Sequence, residues 1–340
     1  MPARQDTVEL RDAFLSEIIG GYLVQQAPFV VYKGPSVDAL KGTATLRLLL
    51  TSMRPHQWAK NLFVFAPLLF GMKLGEPGFV LRALAATLSF CLLSSGMYLV
   101  NDIVDAEADR AHPEKRMRPI PSGALSKSLA LLTTLLLLTS AFVIGSALGV
   151  TFLLLETAYC AVTLGYCLTF KQAIVLDGML IATGFVLRVV GGAVAVNVEA
   201  SHWLIVCAFL LALFLAFSKR RQELLILSTD AEQHRSVLGQ YTVGYLDRAN
   251  NILLAATIVC YALYTVAPET IQKFGTDKLI YGSAFVIYGL LRYLALLQDE
   301  SNGGNPSKML FKDKPLLLAV TGWAIYNGLI IYRSSFDLLE

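Results

Sequence analysis

The sequence predicts an all-α integral membrane protein: a bundle of nine transmembrane helices with a polar chamber facing the cytoplasm. Three observations predict it. Of 340 residues, 55% are hydrophobic and only 16% are charged, against about 25% charged in an ordinary soluble domain. The apolar residues gather into long runs that do not alternate with polar ones. Lysine and arginine crowd the loops of one side and are sparse on the other. Disorder, a collagen-like fibre and a disulfide-stapled secreted module are excluded on the same composition.

A helix that crosses the roughly 30 Å hydrocarbon core needs about 20 mostly apolar residues. Nine stretches meet or approach that length: 61–76, 79–100, 127–145, 149–169, 174–196, 203–218, 249–267, 279–297 and 315–332, of which the first and sixth are short. Runs such as Leu129 to Leu138 and Trp203 to Phe217 lack the dyad pattern of a membrane barrel. Residues 1–46 are mixed and partly charged, reading as an N-terminal cytoplasmic extension with an amphipathic stretch near Phe14 to Val24 and no cleavable signal peptide. Residues 47–340 then form the membrane domain. Cys91, Cys160, Cys167, Cys207 and Cys260 all fall within the spans, without the spacing of a zinc site or a disulfide framework, and read as small buried hydrophobes.

Leaving out residues 1–46, the loops and ends on the side of the N-terminus, 101–126 and 219–248 among them, carry 17 lysines and arginines, whereas the opposite side carries only Lys73, Arg82, Lys273, Lys278 and Arg333. The N-terminus and those two loops are therefore expected in the cytoplasm, beneath a bacterial plasma membrane. The formal net charge of +3 hides this asymmetry.

The strongest chemical signal follows the second span: Asn101-Asp102-Ile-Val-Asp105-Ala-Glu-Ala-Asp109-Arg110-Ala-His112-Pro113-Glu-Lys115-Arg116-Met-Arg118-Pro119-Ile120. Asn101, Asp105 and Asp109 are spaced so that their oxygens share one helix face. Such a column of oxygen donors repels itself unless a cation sits among them. Hard oxygen ligands suit Mg²⁺, which takes one or two carboxylates and completes its shell with water and phosphate. Asn101, Asp102, Asp105 and Asp109 are the expected metal ligands. Pro113 ends any helix, and the basic residues after it would meet the diphosphate such a metal carries.

This motif resembles the first aspartate-rich motif of the UbiA-type polyprenyl transferase superfamily. The Arg54-Pro55-x-Gln57-Trp58-x-Lys60-Asn61 stretch is also similar to that superfamily. Together with the 109–120 sequence it resembles the phosphoribosyltransferase branch, which acts on decaprenyl phosphate. The resemblance covers about 47–333. It implies a Mg²⁺-dependent transfer of 5-phosphoribose from phosphoribosyl pyrophosphate to a polyprenyl phosphate, with release of pyrophosphate. It further implies a product destined for cell-envelope glycopolymers.

Most aromatic-acceptor members of the superfamily carry a second aspartate-rich motif after helix six. Here that place reads Ser218-Lys219-Arg220-Arg221-Gln222-Glu223, a basic turn suited to phosphate rather than metal. Tyr166, Lys171, Asp177 and Arg188 are ionisable or polar groups in or beside the fourth and fifth spans, as expected of a polar interior, and similar positions recur in the branch. Asp105 and Lys171 are the expected catalytic residues. Lys60, Arg110, Lys115, Arg116, Arg118, Tyr166, Asp177, Arg188, Lys219, Arg220, Arg221 and Glu223 are the expected substrate-binding set. Asp247 either contacts a ribose hydroxyl or metal, or caps the seventh span; Arg292 in the eighth has no evident partner in the sequence. No nucleic-acid partner is expected, and oligomerisation is left open. Two rival functions share some features: an aromatic prenyltransferase making a quinone or haem precursor, and a transporter of anions or Mg²⁺.

Overall fold

The computed structural model describes residues 43–111, 115–227, 236–298, 309 and 312–333. The amphipathic stretch expected near Phe14 to Val24 lies outside these residues, as do His112 and Pro113. Among the described residues every regular element is helical: α1 Thr43–Met53, α2 Ala66–Phe70, α3 Pro77–Val104, α4 Ala106–Ala111, α5 Lys127–Leu148, α6 Val150–Leu168, α7 Leu176–Ala195, α8 His202–Leu227, α9 Val243–Val266, α10 Pro268–Phe274, α11 Ser283–Gln298 and α12 Lys314–Ile331. Eight helices among the described residues are long and apolar enough to cross a membrane, α11 counting with the short 3₁₀ turn Lys278–Gly282 before it. The protein is a multi-pass helical membrane protein.

Local sequence sets where these helices begin. Ser126 Oγ accepts from the Leu129 amide at the start of α5, and Thr242 Oγ accepts from the Tyr245 amide at the start of α9. Asp313 Oδ1 does the same for Leu316 at α12. Each satisfies one of the amides that a first helical turn leaves without a partner. Proline opens α3 at a position where no intrahelical amide is needed.

The first expected span, 61–76, is not one helix. The chain instead runs α1, then a 3₁₀ segment Pro55–Phe65, then α2 and a turn before α3. Arg54 sits in the left-handed region at φ 54°, ψ 59°, uncommon for a residue other than glycine, directly before Pro55, and separates α1 from the 3₁₀ segment. A 3₁₀ coil rises about 2.0 Å per residue and an α-helix about 1.5 Å, so Pro55–Phe70 still spans roughly 30 Å. The stretch therefore matches the hydrocarbon thickness with a tighter coil than the α-helix expected.

Burial sorts the helices into centre and rim. In α3 and α7, 61% and 56% of the spanning window is buried, against 22% in both α5 and α6. Leu131, Leu132, Leu135 and Leu136 on α5 are exposed, as suits a helix that is apolar all round and faces lipid. The 3₁₀ segment packs against α3 and α7, and α8 runs along α7 and α9. Two glycines make close approach feasible. A Cβ on Gly192 would stand 2.1 Å from the Val64 carbonyl oxygen, and one on Gly145 would stand 1.9 Å from the Glu156 carboxylate. Glu156 is fully buried, hydrogen-bonded to the Ser89 hydroxyl through one oxygen.

The Gly192 contact is a backbone obstacle, which a side chain cannot relieve by turning aside. Gly192→Val is expected to cost about 1–3 kcal/mol through overpacking. Gly244→Ala, where nothing lies within 4 Å, should hold or raise stability. Thermal melting of the two variants in detergent checks the contrast.

Candidate active site

The acidic motif spans the end of one helix and the start of the next. Asn101 and Asp102 lie in the last turn of α3, Asp105 caps it with its amide bonded to the Asn101 carbonyl, and the Asp109 amide bonds the Asp105 carbonyl. The turn-by-turn register therefore continues across the break into α4. Asp102 and Asp109 are buried, while Asp105 is more open.

Each carboxylate meets a base. Asp102 Oδ1 accepts from Arg54 Nη2 at 2.5 Å and from Arg118 Nη1 at 3.1 Å. The same Arg118 nitrogen bonds Asp109 Oδ2 at 2.7 Å, with Lys115 at 3.9 Å from the other oxygen. Lys171 pairs with Asp105, and Asn101 Oδ1 accepts a weak bond from the Cys167 thiol at 3.3 Å. Among the described residues no three His, Cys, Asp or Glu side chains converge so as to hold a metal ion by themselves. The donors are hard oxygens throughout, so their chemistry fits Mg²⁺, with basic side chains standing on the same oxygens.

A second network lies where α6, α7, α8 and the turn before α9 meet. Arg220 is almost fully buried and donates to Asp177 Oδ2 at 2.7 Å, to Glu223 at 2.6 Å and to the Tyr166 hydroxyl at 3.2 Å. Tyr241 donates to Asp177 Oδ1 at 2.8 Å and accepts from the Val175 amide at 2.7 Å. Burial pushes the Tyr241 hydroxyl well above its usual range, which keeps it a donor. Val175 has φ 66° and ψ −47°, with the Leu176 amide bonded to the Ile174 carbonyl at 2.7 Å. That three-residue turn is strained for a β-branched residue, and the Tyr241 hydroxyl fixes it just beyond Lys171.

The basic residues of 219–221 divide among three environments. Lys219 is half-exposed, 3.6 Å from Glu223. Arg221 bonds Asp247, the Leu297 carbonyl and Gln298, away from the Arg220 network. The expected contiguous phosphate cradle is thus split, and Asp247 has an arginine partner rather than a capping role. Arg110 donates to the Pro121 carbonyl at 3.0 Å, shaping its own loop, and Arg116 is exposed. Arg292 finds Asp313 at 2.7 Å, joining α11 to the start of α12 outside the site.

Deeper in the bundle, Arg188 donates to Asn61 Oδ1 at 2.6 Å, to the Gly184 carbonyl at 2.7 Å and to the Tyr159 hydroxyl at 2.8 Å. Its guanidinium also stacks on the Tyr159 ring at 4.8 Å. Lys60 lies within electrostatic range of Arg54, Arg188 and Lys219. Arg54, Asn61, Tyr159 and Tyr241 were not singled out as site residues from sequence. Tyr159 and Tyr166 lie two helical turns apart on one face of α6, a signal that was there to be read.

A multi-pass helical bundle whose polar site is built from paired acidic and basic side chains defines an integral membrane protein with a charged interior site. The chain belongs to the UbiA prenyltransferase family, whose model matches residues 64–314. Among its relatives is a decaprenyl-phosphate phosphoribosyltransferase of Mycolicibacterium smegmatis, 32% identical over 311 residues that cover 88% of this chain and 96% of that one. One of the same name from Corynebacterium glutamicum is 32% identical over 84% of this chain and 86% of its own. The fold is shared with a UbiA homologue from Archaeoglobus fulgidus solved with geranyl diphosphate (GPP) and Mg²⁺, at TM-score 0.65 and 20% identity, covering 84% of this chain and 99% of that one.

The buried Arg220–Asp177 pair should respond asymmetrically to mutation. Arg220→Met, which takes the arginine from the fully buried Asp177, is expected to cost roughly 3–5 kcal/mol, and adding Asp177→Leu to recover much of the loss. Melting temperatures of the single and double variants test it.

Proposed function

We propose that the protein transfers 5-phosphoribose from phosphoribosyl pyrophosphate to a polyprenyl phosphate, releasing pyrophosphate, at the cytoplasmic face of a bacterial plasma membrane. The observation that carries this reading is the near full-length similarity to decaprenyl-phosphate phosphoribosyltransferases, combined with a site that surrounds its carboxylates with lysine and arginine. Residues 47–340 would form the transferase unit, with 1–46 as a cytoplasmic extension. The basic loops on the side of the N-terminus support that orientation.

Asn101, Asp102, Asp105 and Asp109 would hold Mg²⁺, which supplies charge neutralisation at the diphosphate when bound. The carboxylates would then exchange their basic partners for the ion. Arg54, Arg118 and Lys171, so released, would turn to the phosphates as charge-assisted donors. Lys171 is the side chain expected to steady the departing pyrophosphate, with Lys115 and Arg116 flanking the entrance. An acceptor phosphate oxygen forms the new bond to the anomeric carbon while the bond from that carbon to the diphosphate oxygen breaks. The acceptor is already ionised at neutral pH, so no general base is required. Positioning and fixed charge carry the rate. In-line displacement turns an α donor into a β product. The Asp177–Arg220–Tyr241 network contributes by fixing the turn that presents Lys171.

The test uses purified protein, Mg²⁺, radiolabelled phosphoribosyl pyrophosphate and a short polyprenyl phosphate, following label into the organic phase. Asp105→Asn and Lys171→Ala are each expected to lower the rate on the order of 10²–10³-fold. Prenylation of an aromatic acid from a prenyl diphosphate, with no label transferred, would overturn the reading.

A further inference from the structure

Away from the exposed loop that carries Arg110 and Arg116, charge bookkeeping among the described residues at the polar end leaves one place unbalanced. Arg54, Lys115, Arg118, Lys171, Lys219, Arg220 and Arg221 each stand within ion-pair distance of a carboxylate. Arg188 and Lys60 do not. Among the described residues Arg188 meets only neutral acceptors, on Asn61, Gly184 and Tyr159, so that some of its five N–H donors remain uncommitted. The Lys60 ammonium makes no hydrogen bond and no ion pair among the described residues, and its charged neighbours are Arg54, Arg188 and Lys219. Tyr98 lies in the field of Arg188 and under the Arg54 guanidinium, 5.0 Å from its ring centroid, and its hydroxyl likewise has no partner among the described residues.

Uncompensated cations inside an apolar bundle are costly, and two of them side by side more so. Their natural complement is an anion of at least one full charge. Among the described residues those charged neighbours of Lys60 are arginines and a lysine, so the anion would be bound by fixed cations and hydroxyls.

Depth identifies the anion. Trp58 bonds Ser95 and Asn61 bonds Cys91 and Ser94, so the Lys60 segment lies beside α3 about two to three turns before Asp102. That places the Lys60 backbone roughly 10–16 Å further along α3 into the bundle than the carboxylates. Its surroundings are apolar: Phe185 lies under the Arg188 guanidinium and meets Phe63 edge to face. A water-soluble donor reaches the carboxylate end first, whereas a lipid brings its head group to a level flanked by hydrocarbon.

We propose that Lys60 and Arg188, bracketed by Tyr98 and Tyr159, form a metal-independent phosphomonoester subsite that takes the phosphate of the lipid acceptor. This rests on the phosphoribosyl-transfer reading for the identity of the lipid, though not for the chemistry of the subsite. The diphosphate end and the acceptor end of the reaction are then held by different means, one through carboxylates and a metal, the other through unpaired cations.

The experiment measures binding to the purified full-length protein in detergent with EDTA. The probes are farnesyl phosphate, farnesol and ribose 5-phosphate. Wild type is expected to bind farnesyl phosphate without metal and farnesol at least tenfold more weakly. Lys60→Met and Arg188→Gln should each weaken farnesyl phosphate at least tenfold. Because the Lys60 ammonium has no hydrogen-bond or ion-pair partner among the described residues, Lys60→Met should keep or raise the melting temperature, which separates a lost ligand contact from a lost fold. Arg188→Lys, which keeps the charge, should restore part of the binding lost in Arg188→Gln. Undiminished farnesyl phosphate binding in Lys60→Met overturns the proposal, as does a collapse of its melting temperature. If ribose 5-phosphate alone loses affinity in that variant, the subsite belongs to the donor and the assignment to the lipid is overturned. Lys60-dependent farnesyl phosphate binding by a protein that transfers no phosphoribose would uphold the subsite and sink the reaction.

Discussion

Ionised side chains in a low-dielectric bundle must find opposite charge, and the polar end of this protein is arranged around that requirement. Asp102 and Asp177 are buried almost completely, and each is held by an arginine from a distant part of the chain, Arg54 and Arg220 respectively. Those two pairs do more than neutralise charge. The Arg54 pair ties the start of the 3₁₀ segment to the end of α3, and the Arg220 pair ties α8 to the first turn of α7. Removing Arg220 would take the arginine from a fully buried carboxylate at a cost of roughly 3–5 kcal/mol, whereas Asp102 would keep Arg118 if Arg54 were lost. The helices at this end are therefore held by the same groups that would serve the chemistry.

Such pairing explains how a cluster rich in like charges stays ordered before any substrate arrives. Three aspartates within two helical turns repel one another, and Arg118 answers two of them through a single nitrogen. A diphosphate bound with its cation would offer the basic residues a competing set of oxygens and the aspartates a competing cation. Exchange of partners costs less than creating charge pairs anew, since no group need ever be desolvated alone.

Much of this architecture is legible in the sequence, and the failures have physical causes. Eight of the expected stretches are helical along their length, one of them with a 3₁₀ turn at its start, because apolar length alone dictates them in lipid, as α5 and α8 illustrate. The 61–76 stretch was misjudged because its coil depends on packing: the Val64 backbone lies against Gly192, more than a hundred residues away, and no local pattern records that. In the site, the Asn101–Asp105–Asp109 register was readable since helical periodicity sets it. The partners were not, because Arg54 with Asp102 and Arg221 with Asp247 meet only in the folded chain. Lys219, Arg220 and Arg221 looked like one cradle in sequence, yet consecutive residues on α8 point in different directions and reach solvent, Asp177 and Asp247 in turn.

The 3₁₀ segment carries a consequence for the geometry of its side chains. With three residues per turn, positions three apart eclipse one another, so Gln57, Lys60 and Phe63 form one column, with Arg54 bonded through its carbonyl to the Gln57 amide at its head. Wound as an α-helix, the same residues would fan out by about 60° at each step. The tighter coil thus acts as a phase setting, aligning a basic residue near the acidic end with a second one two turns further in, and a rewinding of this stretch would separate them without altering a single amino acid.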